Sequence, residues 1–568
     1  MLYMRLLFLP YITHWQYNGF NIMMYKNFIL ILLAAVFSLC TGKHKLTSIH
    51  SGQCIFNQKH VPLFTGRQNT DILEIEIEAS SDDKAHLLQS VVLYLDDLSN
   101  LNFVEDVTVN HVENKEGETS VAEFGSTSNF GTGKISIDGS AEITHGSHSL
   151  YLSFKVKEIA VLTESFTIEK VELQFKDGSV TALNPNSRFT YRPAQILRAA
   201  GQDNCNTYRI PGLVTTSKGT LIAVYDNRYN NSKDLQEDVD VGMSRSTDGG
   251  QTWEPMKVIM DMGEWGGRPE RLNGIGDPSV LYDHTTHTIW VAGLWMSGAS
   301  EDDMLWWASR PGMEPDETGQ MILVKSTDDG VTWSEPVNIT KQVKDPSWQL
   351  LLQGPGRGIT LADGTLVFPA QFKADIGIKA LDGGQYTAHS TIIYSRDGGT
   401  TWDIGTGAKP NTTEAQAVQL SGGSLMLNMR DDLNRTVKDE NNGRAVAVTS
   451  DLGKTWNVHT SSNSGLREPN CMASIIAANV EAGGRKQQVL FFSNPNNKET
   501  RTNMTIKASL DGGNSWPEEY FMELNESPGF GYSCMTMADE NTIGILYEGV
   551  KDLYFQKIPV TEIFPKIR

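Results

Sequence analysis

Ser246-Thr247-Asp248-Gly249-Gly250-Gln251-Thr252-Trp253 is a stretch that recurs down the chain. The same order of hydroxyl residue, Asp, Gly, and hydroxyl residue beside Trp returns at Ser326 to Trp333 and at Ser395 to Trp402. It returns again at Thr449 to Trp456 and at Ser509 to Trp516, with 54 to 80 residues between successive tryptophans. A pattern at such a period marks a repeat architecture, one supersecondary unit per copy. Each copy reads as a hairpin turn. Asp and the hydroxyl hydrogen-bond nearby backbone, Gly supplies positive φ, and Trp covers the turn with apolar surface. Apolar runs such as Ile322-Leu323-Val324 and Thr391-Ile392-Ile393-Tyr394 lead into the turns, so each unit is expected to be a β-meander. The Asp-x-Gly core shares its outline with a calcium loop, but no Glu stands at the twelfth position. The turns are therefore read as structural, on the side of the fold away from any active site. The fourth copy begins with Thr449 and the fifth has Ser515 in place of Thr; both keep the hydroxyl.

Outward from these turns, residues 191–568 form one repeat region of roughly 375 residues, enough for six four-stranded blades. Five marked turns and one degenerate blade fit that count. Residues 43–190 hold no such turn. They alternate apolar and polar residues, as in Ile72-Leu73-Glu74-Ile75-Glu76-Ile77 and Leu150-Tyr151-Leu152-Ser153-Phe154-Lys155-Val156, the mark of half-buried antiparallel strands. The expectation is an all-β chain, a six-bladed β-propeller preceded by a smaller β-sandwich. The first domain reads equally as a carbohydrate-binding accessory or as a structural spacer.

At 568 residues the chain is too long for one ordinary domain. A formal charge of −20 argues against general nucleic-acid or anionic-membrane binding, so an anionic ligand needs a local cationic site. Residues 1–42 read as an extension followed by a signal peptide: Lys26 gives a positive start and Phe28 to Phe37 a short apolar core. Export to a periplasm, cell surface or medium is the implied destination. Cys40 is a candidate lipid acceptor, although Leu39 before it fits that signal poorly. Cys54, Cys205, Cys471 and Cys534 are scattered, which supports neither a disulfide framework nor a zinc site. No other segment is apolar enough to span a bilayer, and no metal site is expected.

Just before the first repeat stands Tyr208-Arg209-Ile210-Pro211-Gly212. With the five turns, this resembles the bacterial exo-sialidases (neuraminidases) of glycoside hydrolase family 33, over residues 195 to 568. The resemblance implies an enzyme that removes terminal sialic acids from glycoproteins, glycolipids and oligosaccharides, acting as a monomer without a cofactor. Sialic acid bears a carboxylate on the carbon that carries the glycosidic bond, and the planar guanidinium fork suits such a group. The family uses three arginines. Arg209 matches the first, Arg430 in Leu427-Asn428-Met429-Arg430-Asp431 the second, and Arg501 before Thr502-Asn503-Met504-Thr505 the third.

A substrate carboxylate disfavours an Asp or Glu nucleophile by charge repulsion, and sialidases use a tyrosine instead. Tyr532 in Gly531-Tyr532-Ser533-Cys534 matches that position, with Glu414 in Thr413-Glu414-Ala415-Gln416 as its base. Glu468 in Arg467-Glu468-Pro469-Asn470 is kept as a second candidate base. Asp234, six residues after Arg228, matches the acid/base aspartate, with Glu237, Asp238 and Asp240 as nearby competitors. Glu548 resembles the acid that orients the first arginine. Arg228 and Asp277 resemble residues at the sugar's 4-hydroxyl and amide side, and Trp295 and Gln371 residues of the N-acetyl and glycerol pocket. The implied reaction is retaining, through a covalent sialyl-tyrosine. Rival readings are a trans-sialidase of the same fold, a non-catalytic lectin on the same propeller, and a neutral-glucan hydrolase using two carboxylates.

Overall fold

The structure is a computed structural model and describes residues 47–49, 52–80, 85–115, 117–234, 237–297, 305–440 and 442–564. The signal-like segment and Cys40 lie outside the described residues. Within them, α-helix is confined to single turns at Leu305–Ala308, Thr340–Val343 and Val560–Ile563. No helix among them is long and apolar enough to cross a membrane. The four cysteines they contain are free and buried.

The first region forms two antiparallel sheets. One runs Thr47–Ile49, Gly52–Gln58, Gln68–Ala79, Gly146–Val156, Val104–Lys115, Glu118–Thr127; the other runs Val180–Leu183, Phe166–Phe175, His86–Leu95, Lys134–Ile143. Ile75, Val107 and Leu150 from one share a core with Val91, Ile137 and Val171 from the other. The expected alternation holds there: Leu73, Ile75 and Ile77 are buried while Glu74 and Glu76 stay half-exposed.

The repeat region is built of meanders whose inner strands are buried throughout, as in Leu221–Arg228 and Thr288–Ser297. Alternation is lost because each sheet is covered on both faces. The covering forms a closed series of cores. Ile222 and Val224 meet Val280 and Ile322. Leu281 and Trp290 meet Leu366 and Phe368, and Ile392 meets Leu427 and Ala447. Met426 and Val446 meet Leu490 and Phe492, and Val489 and Ile506 meet Ile543 and Ile558. Leu546 and Phe555 then return to Leu213 and Leu221.

Each turn motif joins the third strand of a meander to the fourth. In the first, Ser246 Oγ donates to Asp248 Oδ1 at 2.8 Å and accepts from Gly250 N at 2.9 Å. Thr252 donates from N to Asp248 Oδ1 at 2.9 Å and from Oγ1 to Oδ2 at 2.6 Å. The same bonds recur around Asp328, Asp397, Asp451 and Asp511. The tryptophans reach beyond their own turns: Trp253 meets Phe555 edge-on at 5.1 Å and Trp402 meets Trp290 at 6.0 Å, each on the preceding sheet.

One sheet of the repeat region carries no turn motif. The sheet of Ser533–Asp539, Thr542–Glu548 and Leu553–Pro559 takes Pro193–Arg198 as its outer strand, with Gln195 opposite Phe555. That strand precedes the other three in sequence, so no hairpin is needed and none carries the motif. Leu63–Phe64 pairs alongside Pro193 and Ala194, and Leu162 enters the core around Leu213 and Phe555. The first region is thereby packed into the second.

Candidate active site

The turn motifs close the far ends of third strands. Arg209, Glu414 and Tyr532 stand at the starts of first strands, and Arg430 and Glu548 at the ends of second ones. In antiparallel meanders those positions share the opposite edge. Three first strands are bulged there. Register shifts between Arg209 and Gly212, between Gly276 and Ser279, and between Thr412 and Ala415. The backbone is left-handed at Ile210 (φ 57°), Asp277 (φ 52°) and Asn411 (φ 57°). For a β-branched residue such as Ile210 this conformation is strained by roughly 1–3 kcal/mol. A bulge re-aims side chains next to active sites, and these turn Arg209, Asp277 and Glu414 inward. Gly531, at φ 89°, has a different constraint: a Cβ there would lie 2.9 Å from Pro495 Cγ and 3.1 Å from Arg501 Cβ.

Tyr532 is the hub. Its hydroxyl donates to Glu414 Oε1. Arg430 Nη1 sits 2.5 Å from Glu414 Oε2 and 3.1 Å from Tyr532 Oη. The guanidinium carbons of Arg209 and Arg501 lie 5.2 and 5.7 Å from the Tyr532 ring centre. Three arginines distant in sequence thus surround one phenol. Each is held by acceptors: Arg209 by Glu548 Oε1 at 3.1 Å, Arg430 by Asn470 Oδ1 at 2.8 Å, Arg501 by Phe530 O at 2.8 Å. Glu548 also accepts from Ile210 N and Tyr532 N, so one buried carboxylate fixes the first arginine and the phenol together. Among the described residues, no three His, Cys, Asp or Glu side chains are grouped as metal ligands.

Burial, reinforced by the Glu414 charge, pushes the Tyr532 phenol well above its ordinary range, against the pull of Arg430 and Arg501. The phenol is therefore protonated, with its proton aimed at Glu414. Asp234 and Asp277 are driven apart. Burial, with Asp226 and Asp234 nearby, raises the Asp277 carboxyl well up. Burial opposes a fall at Asp234, yet Arg228 and Arg209 hold its carboxyl below the ordinary range. Asp234 Oδ1 accepts from Arg209 Nη1 at 3.0 Å and Arg228 Nη1 at 2.8 Å. Its side chain is 62 % exposed, so water screens these pairs.

A cavity of about 290 Å³ opens over this network. Asp234, Asp277, Glu414, Arg430 and Tyr532 supply its polar lining, and Leu294, Met296, Trp306, Leu350 and Leu352 much of its apolar lining. Gln371 and Thr413 also line it, and Gln371 Oε1 and Thr413 Oγ1 have no protein hydrogen-bond partner. Two sequence expectations are corrected. Trp295 is fully buried, donates to Asn273 Oδ1 and packs edge-on against Trp265 at 4.5 Å. Strand alternation sends its neighbours Leu294 and Met296 to the cavity instead. Arg228, 1 % exposed, spends its fork on Asp226 Oδ2 (2.8 Å), the carbonyls of Ser232 and Lys233 (both 2.9 Å) and Asp234. It anchors the Asp234 loop; like Arg209 and Arg501, it stands behind the residues that line the cavity.

Glu468 is likewise no base for Tyr532, being buried against Arg444 at 2.7 Å with Asp431 N and Asn434 on its other oxygen. Of the acids near Asp234, Glu237 bonds Asn231 and Asp240 accepts from Tyr229. Sequence reasoning missed Asn470 and Phe530. Asn470 stood in the conspicuous Glu468-Pro469-Asn470 run, where attention fell on the carboxylate. Phe530, whose ring lies 4.3 Å from the Arg209 guanidinium, gave no signal.

The BNR repeat-like domain family matches residues 219–545. A sialidase of Bacteroides fragilis (strain YCH46) is 40 % identical over 557 residues, spanning 93 % of this chain and 98 % of that protein. Among solved structures, the Hadza microbial sialidase Hz136 is 39 % identical at a TM-score of 0.75, covering 89 % of this chain and 99 % of its own. The intramolecular trans-sialidase from Ruminococcus gnavus, in complex with oseltamivir carboxylate, is 19 % identical at a TM-score of 0.52. That match covers 65 % of this chain and 98 % of its own, and shows a shared fold.

Proposed function

The chain belongs to the bacterial sialidases and is an exo-α-sialidase, and from that premise we propose a retaining hydrolysis through a sialyl-tyrosine formed on Tyr532. The observation that carries this reading is the set of three guanidinium groups around a phenol whose hydroxyl donates to Glu414. Arg209, Arg430 and Arg501 take the sugar carboxylate. Asp234, released from Arg209 by that incoming anion, then faces a carboxylate where it had a cation. Its proton affinity rises, which suits a general acid.

In the first step the Tyr532 oxygen bonds the anomeric carbon as the bond to the leaving oxygen breaks. The phenol proton passes to Glu414 and the Asp234 proton to the leaving group. In the second, a water oxygen attacks the same carbon, its proton goes to Asp234, and Glu414 returns a proton to the departing phenoxide. Two inversions leave the configuration retained. Asp277 and Gln371 hydrogen-bond the sugar's polar substituents, and the Leu294–Met296 wall takes its apolar acyl group.

The closed series of cores supports a six-bladed propeller, residues 191–568, behind a β-sandwich. Export and monomeric action belong to the same reading; export rests on the sequence before residue 43. The test is Tyr532→Phe on an aryl sialoside. Turnover should fall at least about 10³-fold while a dehydrated sialic acid analogue still binds. Near-normal turnover removes Tyr532 from the reaction.

A further inference from the structure

His60 lies in the first region, between the strands Gly52–Gln58 and Leu63–Phe64. Its ring stacks on Phe189, centroids 4.6 Å apart. Nε2 accepts from the Gln58 amide at 3.3 Å and from Ser187 Oγ at 3.0 Å, so Nδ1 carries the hydrogen directed at Glu523 Oε2, 2.7 Å away. The other oxygen of Glu523 accepts from Asn503 Nδ2 at 2.5 Å. Asn503 is left-handed (φ 61°) and two residues from Arg501.

The main chain of His60 reaches the same place by a second route. Its carbonyl accepts from Glu526 N at 2.7 Å. Glu526 opens the segment that ends at Phe530, where Gly529 N donates to Arg501 O at 3.1 Å and Phe530 O accepts from Arg501 Nη1 at 2.8 Å. Arg501 Nη2 also donates to Asn470 O at 3.2 Å, but the Phe530 segment and the Asn503 turn that follows Arg501 are both tied to one histidine outside the repeat region. An arginine side chain is long and rotamer-rich, so its placement depends on the rigidity of what holds it.

We propose that His60 is a positioning residue for Arg501, acting through Glu523 and Asn503, so that the first region completes the carboxylate-binding site. The inference rests on the reading of Arg501 as a carboxylate ligand, and the experiment keeps the two apart. In the full chain, His60→Ala and Glu523→Gln should each raise KM, and the Kd of a dehydrated sialic acid analogue, about tenfold with kcat within about twofold. The Gln side chain offers a donor where both partners also donate. His60→Gln, which keeps a donor, should recover part of the loss.

Gln251→Ala removes a different tie between the regions, Gln251 Nε2 to Ala160 O at 2.6 Å, and should leave KM unchanged. Arg501→Ala should raise KM by itself. If it does while His60→Ala and Glu523→Gln stay within about twofold of the parent, His60 has no such role and the site reading stands. A KM rise of equal size in Gln251→Ala also overturns the proposal, because general loosening then explains the effect. If Arg501→Ala leaves KM unchanged, the site reading itself falls. Should His60→Ala fail to fold, Glu523→Gln decides.

Discussion

Asp234 occupies one donor of Arg209, an arginine proposed to take the substrate carboxylate. Its Oδ1 lies between Arg209 and Arg228, and those cations keep its carboxyl low despite the opposing cost of burial. A carboxylate arriving at Arg209 replaces a favourable neighbour with a repulsive one, so the proton affinity of Asp234 must rise on binding. Binding of a dehydrated sialic acid analogue should then take up protons in the acidic range, as the lowered Asp234 carboxyl rises. Calorimetry in buffers of different ionisation enthalpy reads this directly. Asp234→Asn should abolish the uptake, whereas persistence in that variant would assign it to another group. The same variant should lose turnover most on substrates with poor leaving groups, which need the proton.

At the scale of elements, the meander has one edge for stability and another for chemistry. Asp328 accepts from the Thr332 side chain and backbone and from Ser326, which lowers its carboxyl from 3.8 to about 2. A depressed carboxyl contributes stability that is full above the unfolded value and lost as pH falls through about 2. Asp328→Asn should therefore melt a few degrees below the parent at neutral pH, with the gap closing as pH approaches 2. Its kcat/KM should be unchanged, because the turn lies at the far edge of the sheet. A loss of activity without a loss of stability would contradict the separation.

These turns were legible in sequence because a local bond pattern among Ser, Asp, Gly and Thr needs no distant partner. Arg209, Arg430, Arg501, Glu414 and Tyr532 were legible because each stood in a short motif in a fixed order. Trp295 and Arg228 were not. Which face Trp295 shows depends on the pleat beside Leu294 and Met296, and what Arg228 binds depends on Asp226 and the loop at Ser232 and Lys233. The lack of the motif in the last sheet was a matter of topology, since Pro193–Arg198 supplies the outer strand opposite Leu553–Pro559. The buried Arg444–Glu468 pair shows the same limit. The conspicuous Arg467-Glu468-Pro469-Asn470 run suggested a base, and burial makes Glu468 half of an ion pair whose rupture should cost about 3–5 kcal/mol. Glu468→Ala should lower stability by that amount in denaturant titration. A cost within error of zero would leave Glu468 without its structural role.

The whole molecule sets a local cationic trio inside a chain of net charge −20. The global field repels an acidic sugar, so the proposed reading rests recognition on short-range contacts with Arg209, Arg430 and Arg501, less sensitive to salt than surface pairs. Their convergence depends on distant segments meeting: Glu548 on Arg209, Asn470 on Arg430, and the His60-tethered loops on Arg501. Such an arrangement places a phenol at the centre. The most direct measurement is peptide mass mapping after reaction with a fluorinated sialosyl fluoride, which forms the covalent species faster than water removes it. A sialosyl adduct on the peptide containing Tyr532, absent from Tyr532→Phe, is the expected result. An adduct on Glu414 or Asp234, or full turnover with no adduct anywhere, would contradict it.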